Sequence, residues 1–283
     1  MKLFSLDAPF VVLKNCIEFE ADCKHVQVLL REWCMEGCNP CDSPISGELS
    51  TSDSPMSVVD AKKYRRAAAR INYLSQDRPD LNVAARLLAM RMANPMCGDE
   101  VLVKRVLRYL KGSTRVVYKY MYEDNIGKLV LYTDSDWGGC KSTRRSASGG
   151  VLMHGTHLIG HWSKLQGTPA PSSGDSELTA ASKGISEVLG VRHLLVQLDI
   201  PVQITQYIDA SAAKGTLLRK GAGKIKHLEV KQVWCQAMVE KYFLEVLKIP
   251  RKQNLADVLT HPVPRRCMEL FHDATSVYIS TEP

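Results

Sequence analysis

The order of the predicted elements after Lys128 constrains the fold of this chain of 283 residues more than any other feature. Five segments are predicted to be strands: 128–134, which is rich in β-branched and aromatic residues, 149–154, 157–163, 202–208 and 242–249. Helices are predicted at 173–198, 210–218, 230–240 and from Asn254 onward. Three strands, a long helix and then further alternating elements predict an α/β domain on a mixed sheet.

The residues before this domain have a different pattern. Segment 59–112 carries helical apolar stripes, and segment 39–56 is rich in Pro, Ser, Gly and Asp, which predicts a linker. We therefore divide the chain into four parts, which are a strand and helix remnant with a flexible linker (1–58), a helical basic connection region (59–127), the α/β domain (128–262) and a C-terminal tail (263–283).

Positive charge is concentrated in the connection region. The net charge is +7, and residues 60–119 contain fourteen Lys and Arg against five Asp and Glu. Such a block suits a polyanionic partner, although a solvated helical face would look the same. The side chains that we predict to contact nucleic acid are Arg105, Arg108, Arg144, Arg145 and Lys226.

Neither a signal peptide nor an apolar run long enough to cross a bilayer is present, so we expect an intracellular protein, cytoplasmic or nuclear, that is not secreted and has no membrane partner. The nine cysteines are then expected to be reduced thiols. Cys34, Cys38 and Cys41, near Cys23 and His25, are spaced too irregularly to favour a zinc site over unpaired thiols.

Four acids fall at the ends of predicted elements: Asp134, Glu177, Asp209 and Asp257. Singly, Glu177 in the first turn of the long helix could serve the helix dipole, and Asp209 could be an N-cap. As a set, hard oxygen ligands that collect at strand ends suit two Mg²⁺ or Mn²⁺ ions. Asp136, two residues further along the same strand face, is the alternative to Asp134 if the strand register differs. We find no lysine or arginine placed to pair with all four acids.

The motifs resemble the C-terminal connection and ribonuclease H region of copia-type (Ty/copia) LTR retrotransposon Pol polyproteins. The matching runs are YTDSDWGGCKSTRRSASGG (132–150), HWSK (161–164), SSGDSE (172–177), KHLEV (226–230) and IPRKQNLAD (249–257). Upstream, DRPD (77–80) and RVLRYLKG (105–112) match the same region. The resemblance implies a ribonuclease H-like fold preceded by a mostly helical connection segment.

The resemblance also implies catalytic and metal-ligand roles for Asp134, Glu177, Asp209 and Asp257, with an RNA–DNA hybrid as substrate. No Tyr-x-Asp-Asp polymerase motif is present, so a separate reverse transcriptase chain is an expected partner. A cut-down, catalytically silent remnant that only binds nucleic acid is the alternative. An integrase of the same superfamily would end its acid series with a glutamate, whereas Asp257 is last here.

Overall fold

The computed structural model describes residues 10–45, 54–124, 127–221 and 230–280. The chain divides into two compact units, Met1–Tyr122 together with Pro262–Pro283, and Glu123–His261. The predicted tail thus belongs to the same unit as the N-terminal segments. No helix in the part of the chain described here combines the length and apolar character needed to span a bilayer.

The first unit combines helices with a small sheet. Its helices are α1 (Lys24–Glu32), α2 (Val58–Leu74), α3 (Asn82–Arg91), α4 (Asp99–Gly112) and α8 (Arg265–Thr275). Its strands are β1 (Phe10–Val12), β2 (Cys16–Glu20), β3 (Arg115–Met121) and β9 (Val277–Ser280), antiparallel in the order β1-β2-β3-β9. The predicted helices 59–112 are confirmed, whereas β3 and β9 were not predicted.

Apolar side chains of α1 join those of α2, α3 and α4 in one core. Val26 and Leu29 of α1 are buried with Tyr64, Ile71 and Leu107 of the later helices. The helix assigned to an N-terminal remnant is therefore an integral part of this core. Part of the predicted linker, residues 46–53, lies outside the described residues.

The second unit is built on a five-stranded mixed sheet. Its strands are β4 (Lys128–Asp136), β5 (Ala147–His154), β6 (His157–Leu165), β7 (Gln203–Ile208) and β8 (Glu245–Lys248), and its helices are α5 (Ser173–Gln197), α6 (Ser211–Leu218) and α7 (Val230–Lys241). The strand order is β6-β5-β4-β7-β8. The first three strands pair antiparallel, and β7 and β8 continue the sheet in parallel with β4. This is the ribonuclease H-like fold predicted from the sequence.

Helix α5 packs directly on the central strand β4. Leu178, Ile185 and Val188 of α5 are buried in the same core as Leu129 and Leu131 of β4. Gly184 makes this close approach possible, since a Cβ atom there would lie 2.6 Å from Cγ2 of Thr133. Gly190, the other glycine of α5 in this stretch, has nothing within 4 Å of such an atom, and nothing in the structure explains it.

Gly184 and Gly190 of α5 give opposite expectations. Gly184→Ala should destabilise the protein by about 1–3 kcal/mol, because the added methyl group must displace β4 side chains. Gly190→Ala is the matched control on the same helix and should stabilise it by about 0.5–1 kcal/mol, the usual gain of alanine over glycine. Urea unfolding midpoints would measure both. A stabilised Gly184→Ala variant would contradict the close helix–strand contact.

Candidate metal centre

Asp134 lies near the end of the central strand β4. It pairs with Gly149 of β5, and its side chain is 3% exposed. The hydroxyl of Thr260 donates a hydrogen bond of 2.7 Å to its Oδ2 atom. One carboxylate oxygen is thus held by the protein.

Asp209 follows β7 directly and is half-buried. Because β7 is parallel to β4, the carboxyl ends of the two strands meet at the same edge of the sheet. The N-cap residue of α6 is Ala210, and no side chain caps that helix. The interpretation of Asp209 as an N-cap is therefore wrong.

Glu177 reaches the same edge from α5. The hydroxyl of Ser172 caps this helix by accepting a hydrogen bond from the backbone N–H of Asp175, which occupies the first turn. Glu177 lies in the second turn of α5 instead of the predicted first turn, and it is buried. Asp175, rather than Glu177, is therefore the acid placed to interact with the positive end of the helix dipole.

The structure brings three of the four predicted acids together. One carboxylate oxygen from each of Asp134, Glu177 and Asp209 lies within 4.8 Å of the other two, and we call these residues the acid trio. Asp136, the alternative in the other register, is not part of it. The backbone N–H of Ser135 donates to Oε1 of Glu177, whereas Oε2 is buried without a partner.

Burial and mutual repulsion disfavour the charged forms of the trio. Burial, followed by the charges of Asp134 and Asp209, raises the pKa of Glu177 to about 9. Burial is also the main cause that raises the pKa of Asp134 to about 6, with contributions from the charges of Asp209 and Asp257. The pKa of Asp209 is raised as well, again chiefly by burial.

The donor set fits a hard divalent cation. Three carboxylates converge, and a buried Glu177 oxygen has no hydrogen-bond donor. An unpartnered buried oxygen is costly unless a cation or a donor satisfies it. Mg²⁺ and Mn²⁺ prefer oxygen ligands of this kind. The trio could hold such an ion.

Asp257 is the predicted acid that lies outside the trio. The sequence places it in a final helix, but the chain forms only a 3₁₀ turn there, Asp257–Leu259. Its Oδ1 accepts a hydrogen bond of 2.9 Å from Nε of Arg251, and its Oδ2 lies 3.7 Å from Nε2 of His261. A ligand role for Asp257 stays a prediction.

Sequence reasoning missed the neutral residues that hold this turn against the sheet. The amide of Asn254 donates to the backbone oxygen of Thr133, one residue before Asp134. A Cβ atom at Gly149 would lie 2.7 Å from the backbone oxygen of Ala256 and 2.8 Å from Cγ2 of Thr260. The turn can therefore approach Asp134 only because β5 has a glycine opposite it.

The sequence analysis also overlooked Arg251, having found no basic residue placed to serve the acids. Its guanidinium hydrogen-bonds to Asp257, and its charge opposes the rise in pKa of Asp134, Glu177 and Asp209. The signal was its position just after the last strand, since β8 is parallel to β7 and so ends at the same sheet edge.

The residues predicted to contact nucleic acid are distributed over both units of the chain. In the first unit, Arg105 donates to Oγ of Ser43 and Arg108 donates to the backbone oxygen of Asn39. In the second unit, Arg144 is exposed and Arg145 half-buried. Lys226 lies outside the described residues. Contact of any of them with nucleic acid stays a prediction.

The cysteines form no metal site in the described part of the chain. All nine are free thiols, and the acid trio is the one group of potential ligands there that lies close enough together to share an ion.

Comparison with known sequences identifies relatives over most of the chain. No protein-family model matches it. It is 33% identical over 172 residues to an uncharacterized mitochondrial protein of Arabidopsis thaliana, a match covering 60% of this chain and 70% of that protein. It is 28% identical over 268 residues to the retrovirus-related Pol polyprotein from transposon TNT 1-94 of Nicotiana tabacum. That match covers 90% of this chain but only 20% of the polyprotein.

Among solved structures, the chain is similar to LC11-RNase H1, isolated from compost by a metagenomic approach. The two share 18% sequence identity with a TM-score of 0.35, and the match covers 47% of this chain and 93% of that one.

The pKa of Glu177 predicts how stability without metal depends on pH. A raised pKa in the folded state means that folding favours the protonated acid, so this stabilisation is present at pH 4 and is lost as the pH rises toward 9. Glu177→Gln should therefore raise the melting temperature in chelator more at pH 8.5 than at pH 5.5. At the higher pH, the expected gain in the free energy of unfolding is about 1–3 kcal/mol. Thermal unfolding monitored by circular dichroism would measure it.

Glu187→Gln is the matched control, because Glu187 lies on the same helix and pairs with Lys183 instead of the trio. Adding Mg²⁺ at pH 8.5 should then stabilise the wild type more than Glu177→Gln. If Glu177→Gln changes the melting temperature equally at both pH values, the folded protein does not raise the pKa of Glu177.

Proposed function

The chain belongs to the retrovirus-related Pol polyproteins of copia-type transposons, and from this premise we propose that it is a metal-dependent endonuclease that hydrolyses the RNA strand of RNA–DNA hybrids. The observation that carries the proposal is the acid trio with its unpartnered Glu177 oxygen. The choice of hybrid substrate and of the RNA strand rests on family membership.

The trio is suited to ion binding because the protein occupies only part of its oxygen atoms. Thr260 engages Oδ2 of Asp134, and the Ser135 N–H engages Oε1 of Glu177. These bonds orient two carboxylates while an oxygen of Glu177 remains available. Two bound Mg²⁺ or Mn²⁺ ions would supply an activated water and stabilise the leaving oxygen of a phosphodiester.

The proposed hydrolysis requires acids in fixed positions and does not require a nucleophilic side chain. Ligands held before the ions arrive need no reorganisation, and their negative charge balances the divalent cations. Asp134 and Asp209 are held by the parallel pairing of β4 and β7, and Glu177 by the packing of α5. The chain's own contribution is therefore a rigid, negatively charged site at the edge of the sheet.

The partners follow from the same family. The chain spans a fifth of the tobacco polyprotein. We propose an RNA–DNA hybrid and a reverse transcriptase polymerase as its partners. We place both activities inside the cell, in the cytoplasm or nucleus. A silent remnant that only binds nucleic acid is the alternative, and a cleavage assay separates the two.

Replacement of a single trio member should abolish cleavage without unfolding the protein. Asp209→Asn keeps the shape and one oxygen but removes the charge that a divalent ion requires. We expect Mg²⁺-dependent cleavage of a labelled RNA–DNA hybrid to fall at least about 100-fold. In chelator, the melting temperature should stay level or rise, because one of three repelling acids is gone.

The control is Asp136→Asn at the end of the neighbouring strand β4, because Asp136 lies outside the trio and its replacement should retain cleavage. Full activity in Asp209→Asn would refute the ion-binding role. A wild-type protein that binds Mn²⁺ and the hybrid but leaves the RNA uncut would instead support the silent remnant.

A further inference from the structure

We propose that Arg251 contacts the substrate directly, and that its guanidinium, held by Asp257, binds a non-bridging oxygen of the phosphodiester presented to the acid trio. The inference rests on the proposed function and names the side chain that recognises the reacting phosphate. It also assigns a role to the ion pair between Arg251 and Asp257.

The backbone places Arg251 across the mouth of the site. The N–H of Ile249 donates to the backbone oxygen of Ile208, next to Asp209. Five residues later, Asn254 donates to the oxygen of Thr133, next to Asp134. Arg251 lies between these two anchors, so its backbone passes the ends of both strands that carry trio residues.

The guanidinium of Arg251 is only partly used by the protein. Its Nε atom donates to Oδ1 of Asp257 over 2.9 Å, and its side chain is 69% exposed. By contrast, Arg115 engages Glu20 with both Nε and Nη2. The described contacts therefore leave the Nη donors of Arg251 facing solvent, while one hydrogen bond fixes the direction of the side chain.

A cation beside the site favours binding of the phosphate. Without bound ions the acids of the trio repel an approaching anion, and a planar guanidinium with free donors matches the geometry of phosphate oxygens better than a point charge does. Lys248, the other cation that acts on Asp209, donates to Oγ of Ser211. Arg251 is thus the better placed of the two to receive the phosphate.

The competing interpretation is that Arg251 merely neutralises Asp257. The two roles make opposite predictions. If Arg251 only neutralises an acid, its removal frees a carboxylate, which strengthens metal binding and leaves cleavage equal or faster. If Arg251 binds the phosphate, its removal leaves metal binding equal or stronger but weakens cleavage.

The experiment compares wild type with Arg251→Gln, Arg251→Lys and the control Lys252→Gln. Lys252 is exposed and adjacent, so the control removes the same charge from the same segment. Mn²⁺ affinity is measured without nucleic acid by electron paramagnetic resonance. Steady-state cleavage of a labelled RNA–DNA hybrid in Mg²⁺ gives kcat and KM, and thermal melting verifies folding.

We expect kcat/KM to fall about 10- to 100-fold in Arg251→Gln, with Mn²⁺ affinity unchanged or higher. Arg251→Lys should recover part of the loss, since it keeps the charge but not the fork. Lys252→Gln should stay within about twofold of wild type, the small effect usual for exposed charges.

Three results would overturn the inference while the proposed function stands: wild-type cleavage in Arg251→Gln, an equal loss in Lys252→Gln, or a loss of Mn²⁺ affinity that parallels the loss of cleavage. A wild-type protein that binds Mn²⁺ without cutting the hybrid would refute the proposed function and the inference with it.

Discussion

The parallel pairing of β4 with β7 is the contact on which the rest of the second unit depends. Parallel neighbours cannot be joined by a hairpin, so the chain must cross over through intervening elements, which here include β5, β6 and the 25-residue helix α5. The crossover brings the start of α5 back to the strand ends. Asp134, Asp209 and Glu177 meet because each lies close to one of these ends, although up to 75 residues separate them in the chain.

The meeting of these acids works against stability. Burial and like charge raise the pKa of all three, so in the absence of cations the fold disfavours their charged forms. A few local interactions offset this, including the Thr260 hydroxyl on Asp134 and the Ser135 N–H on Glu177. Sites that bind divalent ions carry this kind of cost, because ligands must be gathered before the ion can satisfy them.

The segment after β8 completes the site from the other side of β4. Gly184 lets α5 approach Thr133, and Gly149, paired with Asp134, leaves room for Ala256 and Thr260. Since neighbouring residues of a strand point to opposite faces, the helix and the turn approach β4 from opposite sides. Because both positions are glycines, α5 and the turn Asp257–Leu259 can pack closely against β4 around Asp134.

By itself, the sequence determined the elements whose patterns are local. A run of β-branched and aromatic residues identified β4, and residues 173–198 were predicted as the long helix α5. The motif order identified the family and the candidates Asp134, Glu177 and Asp209.

Only the tertiary structure decided what depends on distant pairing. Strand β9 pairs with β3 across more than 150 residues, so neither could be recognised from its own short sequence. The same holds for the last acid, Asp257, which contacts Arg251 and His261. This segment is anchored to β4 by the hydrogen bond from Asn254 to Thr133, two residues that are 121 positions apart in the chain. The local sequence pattern predicts which face of a helix or strand is buried. Which residue packs against that face depends on the tertiary structure, because the partner is distant in the chain.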